Sequence, residues 1–97
     1  MPAYMIIACA IHEREKFIAG YGKAVPPLVA QFGGEYVFVA PGAELLEGTL
    51  DKHSSVAVSK WPDKAAIQRF WDSPEYAEVK KLREGLADCE VLMVEVP

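Results

Sequence analysis

Few residues of this chain could do chemistry at neutral pH: two histidines, His12 and His53, and two cysteines, Cys9 and Cys89. An imidazole can act as acid, base or metal ligand. His12 follows the first predicted strand and His53 precedes the third. With those strands read as parallel, the rings sit at opposite ends of the sheet, roughly 20–25 Å apart at ~3.3 Å per residue. No shared metal is then expected. His53 falls near Glu47, so the two are the candidate acid–base residues, Glu47 serving as a base if buried. The competing reading of His53 is a solvated loop histidine. Cys9 and Cys89 belong to strands one and four, antiparallel neighbours, so their sulfurs come within one or two rungs. Directly opposed strand positions suit disulfide geometry poorly and a reducing compartment disfavours the bond. Cys9 is therefore expected to be a small core residue, and a nucleophilic role lacks a visible adjacent base.

A second group is aromatic and polar: Tyr21, Trp61, Trp71 and Tyr76 with Asp72, Ser73 and Arg83. A ligand site needs an apolar cavity with a few convergent polar groups, and this set supplies both. Arg83 is the candidate clamp for a ligand carboxylate. The competing reading makes Ser73 a helix cap, Trp71 and Tyr76 core, and Arg83 a partner of nearby glutamates. The chain carries no phosphate-binding glycine loop, dinucleotide fingerprint, zinc spacing or serine triad, so no metal and no cofactor are expected.

The elements that must position these groups follow from hydrophobic periodicity. Ala3 to Ile11 is apolar on both alternating sets, as a strand covered on both faces would be. Glu13 to Phe32 carries a helical stripe of Phe17, Tyr21, Ala24, Leu28 and Phe32. Pro26 and Pro27 interrupt it, removing hydrogen bonds to the carbonyls of Gly22 and Lys23. Either one kinked helix or two short ones is expected, ended by Gly33-Gly34. Glu35 to Ala40 is a second strand, which Glu44 to Gly48 is expected to resume after Pro41-Gly42. Ser55 to Trp61 is a third strand, and Asp63 caps the helix burying Ala66, Ile67, Phe70 and Trp71.

Trp71-Asp72 closes that helix and Ser73 caps the next, with Pro74 at its first position. Acidic Glu75 and Glu78 precede basic Lys80, Lys81 and Arg83, in keeping with the helix dipole. Tyr76, Val79, Leu82 and Leu86 form its apolar stripe, and Gly85 is its stop. Cys89 to Val96 is the fourth strand. The order β-α-β-β-α-β is the ferredoxin-like arrangement of the α+β class, a four-stranded antiparallel sheet with helices on one face. With helices enough for one face only, the second apolar face of Tyr4 to Ile11 points to sheet-on-sheet contact with another subunit.

The 97 residues amount to one domain, 1–97, burying roughly 60–65% of the unfolded chain's surface. A net charge of −4 and an apolar fraction of 52% read as a soluble globular protein and argue against nucleic-acid binding. No apolar run reaches the ~20 residues of a membrane span. The start lacks the basic region of a signal peptide, so a cytoplasmic protein without nucleic-acid or membrane partners is expected.

Gly33-Gly34 leading into a strand, Leu46-Glu47-Gly48, Asp72-Ser73-Pro74-Glu75-Tyr76 and Leu82-Arg83 resemble the family known as domain of unknown function 1330. The likeness runs along nearly the whole chain, although Glu35 stands where that family often has a basic residue. The resemblance implies a dimeric α/β barrel, in which two ferredoxin-like protomers pack sheet against sheet. The functional expectation has two branches. One is a homodimer, or a higher oligomer, binding a small organic ligand between helices and sheet, as in cofactor-independent monooxygenases, isomerases or lyases. The other is a non-catalytic structural or interaction domain acting as a homodimer.

Overall fold

The computed structural model describes residues 1–49 and 54–97. Its elements run β1 (Ala3–Ile11), α1 (Arg14–Ala19), α2 (Tyr21–Gln31), β2 (Glu35–Ala40), β3 (Ser55–Trp61), α3 (Lys64–Trp71), α4 (Pro74–Lys80) and β4 (Ala87–Glu95). The four strands form one sheet in the order β2-β3-β1-β4, antiparallel at every junction. This is the expected ferredoxin-like arrangement.

β1 and β3 are antiparallel, with Cys9 opposite Ser55 and Ala3 opposite Trp61. The parallel reading fails for a topological reason. A helical crossover returns β2 in the direction of β1, and the reversal after β2 then sends β3 the opposite way. The end of β1 that leads to His12 thus lies beside the start of β3, so the expected separation of the two histidines loses its premise. His53 itself lies outside the described residues.

Alternation divides the sheet into two faces. Odd residues of β1 face the helices, with Ala3, Met5 and Cys9 buried. In β3 the helix side takes Ser55, Ala57, Ser59 and Trp61, while Val56 and Val58 pair with Ala8 and Ile6 on the other side. That open side also carries Phe38, Leu92 and Val94, all exposed. In β2 the register slips by one residue between Tyr36 and Phe38, a bulge that faces Tyr36 toward the helices and Phe38 away.

The core packs between helices and sheet around Trp61, Phe70 and Tyr76, none more than 2% exposed. Burial of side chains this size stabilises by about 1.5–3 kcal/mol each. Phe70 is the hub, with ring centroids 5.2 Å from Trp61, 4.5 Å from Tyr76 and 6.0 Å from Phe32.

The first helical segment breaks at Gly20, not at the prolines. Gly20 (φ −100°, ψ −85°) ends α1 by donating to the Lys16 carbonyl, and its own carbonyl accepts from Lys23 and Ala24 to begin α2. Pro26 and Pro27 lie inside α2 on its exposed side, where water can satisfy the carbonyls they leave free. After Pro41 the strand is not resumed: Glu44 to Gly48 has no ladder, although Ala43 N–H still donates to the Ser54 carbonyl at 2.9 Å. The stripe of α4 ends at Val79, because the chain tightens into a 3-10 turn at Lys81–Arg83 and leaves Leu82 exposed.

Cys9 and Cys89 form a disulfide between directly opposed residues of β1 and β4, with Cα atoms 4.1 Å apart. The expectation of free thiols is therefore overturned. The close approach of facing Cα atoms at one of the narrow pairs of an antiparallel ladder brings the two sulfurs together.

Candidate functional site

The corner between α3 and α4 is built locally. Asp63 caps α3 by accepting from Ala66 N–H at 2.8 Å. At the far end Ser73 Oγ accepts from Tyr76 N–H at 3.0 Å and donates to the Phe70 carbonyl at 2.8 Å. These bonds fix the turn that aims Tyr76 inward, and they occupy the Ser73 hydroxyl. Asp72 is exposed and accepts from Gln68 Nε2 at 2.9 Å, away from the interior.

Under this corner the phenols of three elements converge. Tyr21 from α2 and Tyr76 from α4 share a hydrogen bond at 3.0 Å between their hydroxyl oxygens. Tyr36 from β2 and Ser59 from β3 line the same small cavity, about 20 Å³, which is enough for roughly one water. Burial pushes the Tyr36 phenol up to about 12, with Tyr76 adding to the effect. Burial also drives Tyr21 upward, reinforced by Tyr76, while the nearby Arg83 opposes the rise. Tyr21 and Tyr36 are therefore neutral at physiological pH: they can donate to a ligand oxygen but cannot serve as phenolate bases.

A second opening of about 230 Å³ runs between α3 and β4, lined by Ile67, Gln68, Leu92 and Met93 together with Met5, Trp71 and Val91. The last three residues also border the tyrosine cavity, so they form the wall between the two spaces. Trp71 has Lys80 Nζ 4.7 Å from its ring and the Tyr76 ring 5.1 Å away.

Arg83, half-buried, holds its guanidinium 5.7 Å from the centre of the Tyr21 ring. No carboxylate pairs with it among the described residues, so the glutamate pairing weighed for it is not formed. Trp61 stands behind the site: it lines neither space, and its Nε1 donates to Ser59 Oγ at 2.8 Å.

The structure thus brings together Tyr21, Trp71 and Tyr76 around the cavity and places Arg83 against the Tyr21 ring but outside the lining of both spaces. It sets Trp61 one layer behind, and turns Asp72 and Ser73 to the corner itself. Glu47 is exposed and lacks the burial expected of a general base. His12 is engaged at the surface, its Nε2 2.8 Å from Asp88 Oδ2. Among the described residues no cluster of three or more metal-ligating side chains occurs. Two site residues, Tyr36 and Ser59, escape the sequence reading. The available signal was phase: Ser59 is in step with Trp61, so a buried Trp61 carries Ser59 inward with it.

An antiparallel β2-β3-β1-β4 sheet with helices on one face and a polar–aromatic cavity between the layers defines a ferredoxin-like fold. The chain belongs to the family described as Domain of unknown function (DUF1330), whose sequence model matches residues 2–97. No functionally curated protein matches the sequence. Among solved structures, a protein of unknown function from Rhodopseudomonas palustris aligns with TM-score 0.80 and 22% identity, over 99% of this chain and 82% of that one. A dimeric ferredoxin-like protein of unknown function from Jannaschia sp. aligns with TM-score 0.76 and 12% identity, over 99% and 100%. SnoaB, a cofactor-independent oxygenase from Streptomyces nogalater, aligns with TM-score 0.71 and 14% identity, over 99% and 93%. At these identities the likeness is one of fold. Among the described residues no helix is long and apolar enough to cross a membrane.

Proposed function

We propose that this protein is a homodimer binding a small, largely apolar organic ligand that carries an oxygen or carboxylate group. The ligand occupies the α3–β4 opening and reaches past Trp71 to the tyrosine hydroxyls. The observation that carries this reading is Arg83: a half-buried cation beside the Tyr21–Tyr76 pair, without a carboxylate partner among the described residues. A guanidinium so placed suits a ligand anion. The opening of about 230 Å³ falls just below the usual range of drug-sized pockets, ~300–1,000 Å³, which favours a small ligand.

Chemistry at such a site needs no cofactor from this chain. Neutral phenols can stabilise an enol or carbonyl oxygen by hydrogen bonding while Arg83 balances charge. That is the type of catalysis expected of a cofactor-independent oxygenase, isomerase or lyase, and the likeness in fold to SnoaB is consistent with it. A non-catalytic dimeric domain is the second reading. It is favoured by the small volume of the tyrosine cavity, about 20 Å³.

Dimerisation is assigned to the open sheet face, where Phe38, Leu92 and Val94 are 47%, 55% and 42% exposed beside Val56, Val58 and Ile6. An apolar patch of this kind is unusual on a monomer. Light scattering should return twice the mass of 10.7 kDa, and a monomer would remove this part of the proposal. The ligand is tested by a thermal-shift screen of small aromatic and aliphatic acids. A hit should stabilise by RT ln(1 + [L]/Kd), about 2.7 kcal/mol at a hundredfold excess over Kd. Arg83→Ala should abolish the shift, and an unchanged shift would refute the carboxylate clamp. If no acid in the screen stabilises the protein, the non-catalytic reading takes its place.

A further inference from the structure

The proposed ligand site makes no use of the Cys9–Cys89 bond or its surroundings. The bond sits on the helix side of the sheet, toward the end where β1 leads into α1. The main core cluster does not extend to it, and α1, which follows β1, buries no residue. The two sulfurs differ in their surroundings. Cys9 is 6% exposed on a central strand, whereas Cys89 is half-buried on β4, an edge strand. Opposite Cys9 stands Ser55, whose Oγ accepts from Arg14 Nη2 at 3.2 Å. Arg14 is therefore anchored on the β3 residue that pairs with Cys9, across β1 from Cys89.

We propose that Cys9–Cys89 is a reversible thiol-exchange site: low-molecular-weight thiols attack Cys89, and Cys9 departs as a thiolate stabilised by Arg14. The attacking sulfur bonds to Cys89 Sγ while the Cys9–Cys89 bond breaks, its electron pair leaving on Cys9 Sγ. A second thiol then attacks the mixed disulfide. The products are two protein thiols and one small disulfide, so the protein gains two electrons and the small thiol supplies them. The assignment of roles follows from exchange chemistry, where the accessible sulfur is attacked and the better-stabilised thiolate leaves. The nine paired positions of β1 and β4 continue on both sides of the bond, from Ala3–Glu95 to Ile11–Ala87. The ladder gives the reduced protein a means of keeping its fold. Ile7 and Val91, two residues along from the cysteines, line the tyrosine cavity, so exchange takes place in strands that also wall that space.

The test uses the whole oxidised chain with limiting reduced glutathione. Samples are quenched in acid over time, the mixed disulfide is located by peptide mass mapping, and circular dichroism is followed in parallel. The expected result is glutathione on Cys89 ahead of Cys9, then two free thiols, with the spectrum of the folded protein unchanged. Excess oxidised glutathione should restore the bond. Arg14→Gln should slow the first step about threefold at unchanged stability, as for a leaving thiol about one pKa unit less acidic. Arg14→Lys, which keeps the charge, should restore most of the rate. Glutathione appearing first on Cys9, or reduction that proceeds only as the spectrum is lost, would overturn the proposal. An Arg14→Gln rate equal to that of the wild type would remove the assignment of Cys9 as the stabilised leaving group. A protein that emerges with two free thiols under air and oxidised glutathione would likewise refute it.

Discussion

Replacing Gly34 by alanine should be among the most damaging single-methyl additions in this protein. A Cβ at residue 34 would stand 2.6 Å and 2.7 Å from Trp61 Cε2 and Cζ2, and 2.8 Å from Val29 Cγ1. Carbon atoms prefer about 3.5–4.0 Å, so the indole or the strand must shift by about 1 Å. The indole has little room to move. It is 1% exposed, packs 5.2 Å from the Phe70 ring and donates from Nε1 to Ser59. Overpacking of this kind costs about 1–3 kcal/mol, and losing the buried Trp61–Ser59 bond adds about 1 kcal/mol. The sum, about 2–4 kcal/mol, corresponds to a fall of about 10–25 °C in Tm for a domain this size. The neighbouring Gly33 supplies the control. It has φ +95° but meets nothing closer than 3.8 Å, so Gly33→Ala should cost only the backbone strain, about 1–2 kcal/mol. Urea titration followed by tryptophan fluorescence reads both. The reasoning fails if Gly34→Ala lies within about 0.5 kcal/mol of wild type, a routine surface effect, or if Gly33→Ala costs more.

Three further outcomes are expected. Ser73→Ala removes the α4 cap and one buried bond to Phe70, and should destabilise by about 1–2 kcal/mol in the same titration. Tyr21→Phe leaves the Tyr76 hydroxyl without its protein partner and should cost about 1 kcal/mol or somewhat more, with a lowered Tm. Alkaline pH should destabilise the fold. Tyr36 is raised from 10.0 to about 12 in the folded chain and Tyr21 is raised as well, so the unfolded state releases protons first. Stability is then complete below about pH 10 and declines as pH rises toward 12. Denaturant midpoints that stay level across that window would contradict the buried placement of these phenols.

The α3–α4 corner could be read from the sequence because its causes are local. Ser73, Pro74 and Asp63 each act on backbone within three or four residues, and their caps form as expected. The approach of Tyr21 to Tyr76 has a related cause, since aromatic residues on the apolar stripes of their helices face the sheet. Non-local register was not legible. Whether Cys9 meets Cys89 directly or one rung away depends on the pairing of strands 80 residues apart. The inward turn of Ser59 likewise depends on which face of β3 the helices take, and the apolar pair Val56 and Val58 pointed the other way. The direction of β3 relative to β1 follows from connectivity, and the parallel reading of those strands neglects it. In the first helical segment Pro26-Pro27 outweighed Gly20 as a breaker in the sequence. An exposed proline inside a helix loses bonds that water replaces, whereas the backbone turn at Gly20 has no such substitute.

The bulge in β2 bears on how copies of this protein behave when concentrated. β2 is an edge strand of six residues whose Val37, Phe38 and Val39 are 55%, 47% and 64% exposed. An apolar edge with unpaired amide and carbonyl groups is a template for edge-to-edge addition and fibrous aggregation. The one-residue slip between Tyr36 and Phe38 interrupts the regular spacing of those groups, so a flat incoming strand cannot match the whole edge. Deleting Val37 would restore even spacing, and Tyr36 and Phe38, then adjacent, would keep their opposite faces across from Ser59 and Val58. The extra residue therefore guards solubility, and its deletion would remove that guard without turning the Tyr36 phenol from the cavity.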